Sequence, residues 1–377
     1  MGVLTMNENY QFGIEEEYFV VDADTKAIVV TRPEGFLPDL KKELGDRGSG
    51  EMLQAQIEVS TSPHTCAKTA GAELKHLRQA AARVAADHGL AIVACGTHPT
   101  AMWDLAQQSP GERYDMVMDD LQIIGQRNML CGMHVHVELP NSEDRVDIMR
   151  RMLPYLPLFI ALSTSSPFWR SHCTGLKGYR LAAYDELPRT GVPELFRNDQ
   201  EFEEYISALQ EAKIIEDSSY VWWAIRPSLK FPTLELRAPD SCTFVEDSVA
   251  IAALYRSLAR QLVCNPMQNS DIGAVERALI VENKWRAQRH GVTGTFADVK
   301  GGGAITVAEM LEHVLDTLMP HAEELGCAQQ VRHCRTIVGG GTSADAQLAV
   351  YAVHESKEGS QQALSAVTDW LAAATLQ

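Results

Sequence analysis

Four short stretches of this chain carry ionisable side chains at every second residue. In Gly13-Ile14-Glu15-Glu16-Glu17-Tyr18, Glu15 and Glu17 fall on one face of an extended strand and Glu16 on the other. From Leu53 to Val59, Gln54, Gln56 and Glu58 share one face, while Leu53, Ala55, Ile57 and Val59 share the opposite one. Met133–Val137 puts His134 and His136 together, and Leu234–Arg237 does the same for Glu235 and Arg237. A single strand of this kind signifies only a solvated face, and that reading covers Glu16 and Glu17 taken alone. Four such strands imply chemistry. Carboxylates gathered on one surface repel, and their pKa values rise unless positive charge sits among them. Divalent cations supply that charge, and oxygen donors with an imidazole suit Mg²⁺ or Mn²⁺ better than Zn²⁺.

Mg²⁺ keeps some waters and shares its other positions with substrate phosphates, so an acid-studded sheet points to ATP chemistry. The chain has no GxxxxGK[ST] loop, which excludes a Walker-type nucleotide site. Its two triple glycines, Gly301–Gly303 and Gly339–Gly341, read as turns.

The elements that must position these residues follow from periodicity. Strands are expected at Phe12–Val21, Leu53–Ser60, Ala91–Cys95, Gly132–Glu138, Trp222–Ile225 and Thr233–Arg237. Leu74, Leu77, Ala81 and Val84 stripe a helix that runs to about His88; Ile251, Leu254, Leu258 and Leu262 stripe another. Pro140 and Asn141 end a strand and open a helix. Phe202–Leu209 reads as helical, Leu187–Pro193 as a loop, and the remainder to Gln377 as mainly helical. Strands and helices do not alternate regularly. The expected fold class is therefore α+β: an antiparallel sheet with helices segregated from it.

Composition fits a folded protein. Of 377 residues, 45% are hydrophobic and 22% charged. Lys and Arg total 33 against 50 Asp and Glu, a net charge of −17, which disfavours nucleic acid and anionic membranes as partners. The longest apolar run, around Met152–Ser163, is broken by prolines and a tyrosine, so no membrane span is expected, and no secretory signal is read in the first residues. Eight scattered cysteines form no CxxC pair and read as reduced thiols, a cytoplasmic pattern.

GIEEE, the pair Glu51 and Glu58, GMHVHV, SSPFW followed by the Thr174–Gly175 pair, TLELRAPD and ENKWRAQRHG occur in this order. Together they resemble the carboxylate–amine ligase family also called glutamate–cysteine ligase type 2, over roughly Phe12 to Gly291. The resemblance implies a glutamine-synthetase-like fold, with a curved antiparallel sheet whose concave face binds Mg²⁺, ATP and an acid. It implies one catalytic domain over residues 1–377, with 292–377 as its helical C-terminal portion, and a homodimer. The implied reaction is phosphorylation of a glutamate-like carboxylate by ATP, then attack of an amine such as cysteine on the acyl phosphate. By motif, Glu15, Glu17, Glu51, Glu58, His134 and Glu235 are the implied metal ligands. Arg237 is the implied catalytic guanidinium beside Glu235, because an Arg fork matches phosphoryl oxygens.

The chain departs from the family pattern between Trp169 and Arg180, where Ser171 and Cys173 stand in place of a glycine and an acid. That segment is expected near the substrate pocket. Arg180, His136, Thr174 and Arg289 are candidate substrate contacts. For Arg180 the alternative is an ion pair at a helix end; for His136, a lining role; for Arg286 and Arg289, a surface ion pair. One of Trp222 and Trp223 is expected in the core, with stacking on adenine or substrate open to the other. Cys173 has no base beside it except His172. Two rival functions stay open: a metal-dependent hydrolase of the amidohydrolase type, suggested by His-x-His on a strand, and a catalytically silent binding relative.

Overall fold

A computed structural model describes residues 9–140 and 144–377. The strand β1 (Phe12–Asp22) is the longest, and its alternation dictates its position. Phe12, Ile14, Tyr18 and Val20 turn to one core, and Phe19 and Val21 to another on the opposite face. Further strands are β2 (Gly48–Gly50), β3 (Gln56–Ser60), β4 (Leu90–Val93), β5 (Met133–Glu138), β6 (Ile225–Pro227) and β7 (Thr233–Leu236). They assemble in the order β6-β7-β5-β1-β3-β2, with β4 also paired to β1. Every pairing in this sheet is antiparallel. The sheet is therefore the expected α+β arrangement. It removes the amidohydrolase alternative, whose barrel strands run parallel.

Two helices cover one face, α1 (Ala67–Asp87) and α2 (Val245–Cys264). Their expected stripes are buried: Leu74, Leu77, Ala81 and Val84 in α1, and Ile251, Leu254, Leu258 and Leu262 in α2. They meet Ile14, Ile57, Val59, Val135, Val137, Leu234 and Leu236 from the sheet. Each such side chain contributes about 1.5–3 kcal/mol when fully buried, enough in sum to hold a charge in the same layer.

That charge is Glu16, and here the structure corrects the solvated-face reading. Glu16 is 0% exposed. Its carboxylate accepts from Arg78 Nη2 at 2.7 Å, Arg78 Nε at 2.8 Å, the Tyr18 hydroxyl at 2.5 Å and the Ser248 hydroxyl at 2.5 Å. Arg78 also donates to the carbonyls of Cys242 and Thr243. The carboxylate, with four donors to its two oxygens, ties β1 to α1 and α2.

A second correction concerns Leu53–Ala55. They form a turn before β3, not part of it, so Leu53 and Ala55 do not share a face with Ile57 and Val59. They join Phe19, Val21, Val93 and Cys95 under Leu364, Val367 and Leu371 of the last helix, Ser360–Ala374. This second core closes one end of the polar face. Asn141 lies outside the described residues; Asp144 caps the next helix, Arg145–Met152.

After a hairpin of Thr295–Ala297 with Ala304–Thr306, the chain is helical, as expected. Gly301–Gly303 form that hairpin's turn, and Gly339–Gly341 end the helix Ala328–Gly340. Among the described residues no helix is long and apolar enough to cross a membrane.

Candidate active site

The face of the sheet opposite α1 and α2 collects the predicted chemistry. Register explains why. Glu15 pairs with His134 across β1 and β5, Glu17 with Glu58 across β1 and β3, and Glu235 with His136 across β7 and β5. Residues directly opposite in antiparallel strands lie side by side, so four strands bring their acids and imidazoles into one cluster.

His134 is its centre. Its Nδ1 lies 3.5 Å from Glu15 and 4.0 Å from Glu235, and its Nε2 lies 3.9 Å from Glu17. His136 Nε2 lies 3.5 Å from Glu15, and its Nδ1 meets the Thr233 hydroxyl at 2.9 Å. Two groups have the spacing of a metal site: Glu15, His134 and Glu235, and Glu17, Glu58 and His134, with ligand atoms within 4.8 Å of one another in each. His134 Nε2 is buried with no hydrogen-bond partner, an orphaned atom that a cation would satisfy. A neutral imidazole offers one lone pair and one N–H. His134 can thus be ligand to one group and donor to the other.

The charges in the cluster are unbalanced. Burial, with Glu17 nearby, pushes Glu51 up to about 8. Burial and the charges of Glu15, Glu51 and Glu17 push Glu58 well above the carboxylate range. Burial works against ionisation of Glu15 too, but contact with His134 and His136 outweighs it and lowers its pKa. Burial and the neighbouring Arg237 lower His134. Burial likewise opposes the proton on His136, but contact with Glu15 prevails and raises it. The protein's own cations do not match its buried acids, and oxygen-seeking divalent ions fit this donor set.

Arg237 lies at one side of the cluster. Its Nη1 donates to Glu235 and its Nη2 to the Tyr184 hydroxyl at 3.4 Å; its Nε is buried without a partner. Arg226, from β6, holds the other Glu235 oxygen at 2.7 Å. The two guanidiniums overcome burial and hold the Glu235 pKa well below the usual range. At the other side, a cleft of about 430 Å³ opens, lined by Phe12, Phe231, Pro232 and Pro63, with Glu15 and His136 at its polar end.

The profile of the family described as "Glutamate-cysteine ligase family 2" matches residues 11–366. The chain belongs to this family. A relative from Bradyrhizobium sp. (strain ORS 278), provisionally named glutamate–cysteine ligase 2, is 54% identical over 367 residues, covering 97% of this chain and 88% of the relative. One from Rhodospirillum rubrum with the same name is 42% identical over 374 residues, covering 97% of this chain and 96% of the relative. Among solved structures, the glutamate–cysteine ligase of Francisella tularensis, in complex with AMP, superposes with a TM-score of 0.70 at 13% identity, over 99% of this chain and 90% of that one. A bifunctional glutathione synthetase from Pasteurella multocida also gives 0.70, at 17% identity, over 97% of this chain and 52% of that one. The shared fold is that of glutamate–cysteine ligases, and the chain is a ligase of family 2.

The structure brings Glu15, Glu17, Glu58, His134, His136, Glu235 and Arg237 together, with Glu51 beside them, just past β2. The remaining candidates lie elsewhere. Arg180 is buried and directs Nη1 to the carbonyls of Arg237, Ala238 and Pro239 at 3.4, 3.5 and 3.1 Å. Neither an ion pair nor an open pocket wall describes it; it braces the end of β7. The Thr174 hydroxyl donates to the carbonyls of Pro167 and Leu176, which fixes a loop. Arg289 is exposed on the helix Ala274–His290, while Arg286 of the same helix binds Thr295. Trp223 packs among Phe196, Phe202 and Tyr205, and Arg189 lies over Trp222. Cys173 is exposed.

Sequence reasoning missed Arg226, Tyr184 and Asp240. Arg226 had a signal, because it sits beside the expected strand Trp222–Ile225 and opposite Glu235. Tyr184 had none. Asp240 is buried and accepts from the Ser165 N–H and the Ser166 hydroxyl, holding the segment behind the sheet.

Proposed function

We propose that this protein is an ATP-dependent carboxylate–amine ligase acting on a glutamate-like acid and an amine such as cysteine. The observation that carries this reading is the pair of carboxylate groups sharing His134, flanked by Arg237 and Arg226, in a chain of this family. Glu15, Glu17, Glu51, Glu58, His134 and Glu235 would hold Mg²⁺ or Mn²⁺, which when bound would offset phosphate charge. ATP would place its base in the apolar cleft at Phe231 and Pro232 and its phosphates toward His136 and the acids.

In the first step, a side-chain carboxylate oxygen of the acid attacks the γ-phosphorus of ATP. The bond from that phosphorus to the β-bridging oxygen breaks, and ADP leaves. Arg237 stabilises the charge on the transferring oxygens, and Glu235 and Tyr184 hold its fork in place. In the second step the amine nitrogen attacks the acyl carbon, phosphate leaves with the carbon–oxygen electron pair, and the nitrogen loses a proton. Arg180, behind β7, acts as a positioning residue.

The whole chain is one catalytic unit in this reading. Its support is that Gln347 bonds the Ser165 carbonyl and Arg78 reaches Thr375 near the C-terminus. The setting is cytoplasmic and the assembly a homodimer. Val281 and Trp285, exposed on one helix, are the first surface to test for that contact.

The test is phosphate release from ATP with panels of acids and amines, with product mass as the second readout. Release is expected only with acid, amine and Mg²⁺ or Mn²⁺ all present, and chelation should abolish it. Release without an amine, or full turnover in excess chelator, contradicts the reading. No release with any pair leaves the silent-relative alternative.

A further inference from the structure

Trp103 carries two guanidinium groups. The Arg127 guanidinium carbon lies 5.8 Å from its ring centroid and that of Arg170 lies 5.5 Å away. Arg127 pairs with Glu186 at 2.8 Å, yet its Nε is buried without a hydrogen-bond partner. Among the described residues Arg170 has no carboxylate within ion-pair distance. Two cations therefore share one counter-ion, in a protein whose net charge is −17.

The backbone adds an independent observation. Phe168–Trp169 and His172–Cys173 pair as a hairpin, so Arg170 and Ser171 are its two-residue turn. Their φ angles are +49° and +64°. A turn with two positive φ angles favours Asn and Gly, and a long side chain there is strained. Here that position holds an arginine, aimed at an aromatic ring already shared with a second arginine. Strain of this kind gathers where a side chain is held for a ligand.

Two chain connections tie the cluster to the site. Glu186 follows by two residues Tyr184, whose hydroxyl receives Arg237. Arg127 precedes by five residues Gly132, whose N–H donates to Glu17 at 2.5 Å. Both connections run to residues that meet Arg237 and Glu17, whereas the apolar cleft is lined by Glu15 and His136. The phosphates have acids, metals and Arg237 to receive them. A planar guanidinium with free donors, steadied on an indole, matches a carboxylate in two-point geometry.

We propose that Arg127 and Arg170, supported by Trp103, bind the α-carboxylate of an amino-acid substrate. The proposal rests on the ligase reading and narrows it: one of the two organic substrates must be an α-amino acid. Cys173, the position suggested by the departure from the family pattern, lies on the far strand of the hairpin, and the selecting residue is Arg170.

The test is isothermal titration of the whole chain with Mg²⁺ and a non-hydrolysable ATP analogue. Glutamate is compared with 4-aminobutyrate, and cysteine with cysteamine; each pair differs by one α-carboxylate. The unmodified protein should bind the carboxylate-bearing member of one pair at least about tenfold more tightly, equivalent to one bidentate charged contact. The affected pair tells whether the donor or the acceptor supplies the group. Arg170→Asn suits the turn and removes the cation, and Arg127→Gln keeps length without charge. Both should lose most of that ratio, with unchanged melting. No preference in the unmodified protein, or equal weakening of both members of a pair, overturns the proposal. Phosphate release is measured separately. An intact binding preference with no turnover would sink the ligase reading and leave the carboxylate subsite standing.

Discussion

Two adjacent glutamates, Glu16 and Glu17, should respond to neutralisation in opposite ways. Glu16→Gln replaces an acceptor oxygen with an amide NH₂ that faces Arg78, Tyr18 and Ser248, all donors. Arg78 is 1% exposed and would keep its charge without a carboxylate. Removing one partner of a buried pair costs about 3–5 kcal/mol. With an unfolding entropy of about 2.1 cal/mol/K per residue, a chain of 377 residues should then melt about 4–6 °C lower. Glu17→Gln differs in sign. Glu17 stands among Glu58, Glu51 and His134, and its one backbone contact, the Gly132 N–H, can be kept by an amide oxygen. Repulsion falls when its charge is removed, so in chelator Tm should stay within about 2 °C of the unmodified protein. Calorimetry with chelator and with Mg²⁺ reads both effects. Glu16→Gln should keep a Mg²⁺-dependent rise in Tm, and Glu17→Gln should lose most of it. If Glu16→Gln melts like the unmodified protein, or Glu17→Gln unfolds at room temperature, the assignment of the two faces is wrong.

Arg237→Lys keeps a charge and loses the fork; kcat should fall roughly 10²-fold with modest change in the acid's KM, and a normal kcat with weakened acid binding would move Arg237 to substrate recognition. His98 is buried with both nitrogens engaged, Nε2 toward the Lys26 carbonyl at 3.1 Å and Nδ1 accepting from the Thr100 N–H at 3.3 Å. Burial pushes its pKa from the ordinary 6.5 down to about 4. Because the folded value lies below the unfolded one, this stability is fully present above pH 6.5 and is lost as pH falls toward 4. Between pH 7 and pH 5 the loss from this residue is about 2 kcal/mol. Denaturant melts at the two pH values should show that slope, and His98→Asn should flatten it; an unchanged slope in the variant would assign the loss to other groups.

Period two is a strong signal wherever a strand buries one face, which is why the polar face is legible in the sequence. Glu15, Glu17, Glu58, His134 and Glu235 each alternate with an apolar neighbour that the opposite core requires. Glu16 defeated the same reasoning. Its partner, Arg78, is 62 residues away on a helix, and nothing in a local pattern marks a charge that will be matched inside the core. Leu53 and Ala55 misled in the other direction. Their alternation continues that of Ile57 and Val59, but a turn intervenes and a second core claims them. Arg180 and Thr174 look like ligand-binding residues by type; the Nη1 of Arg180 and the hydroxyl of Thr174 bond backbone carbonyls, contacts that sequence cannot show.

His134 joins these strands of argument. It is the one side chain in both candidate metal groups, and its pattern in the sequence is only His-x-His. The strand period says that His134 and His136 share a face, not which is central. Register decides it. Glu15 stands opposite His134, and Glu235 opposite His136, so the second histidine meets Thr233 and Glu15 while the first reaches acids from β1, β3 and β7. With one lone pair and one N–H, His134 cannot serve both groups equally. The group that receives the N–H must rely on carboxylates alone, and its cation is then the more easily exchanged with a phosphate-bound one. A sheet built in this way would hold one ion by an imidazole and carboxylates and leave the other the more readily shared with a substrate phosphate. That asymmetry would suit phosphoryl transfer, in which a cation held only by carboxylates could be shared with the nucleotide while the one held by His134 stayed with the sheet.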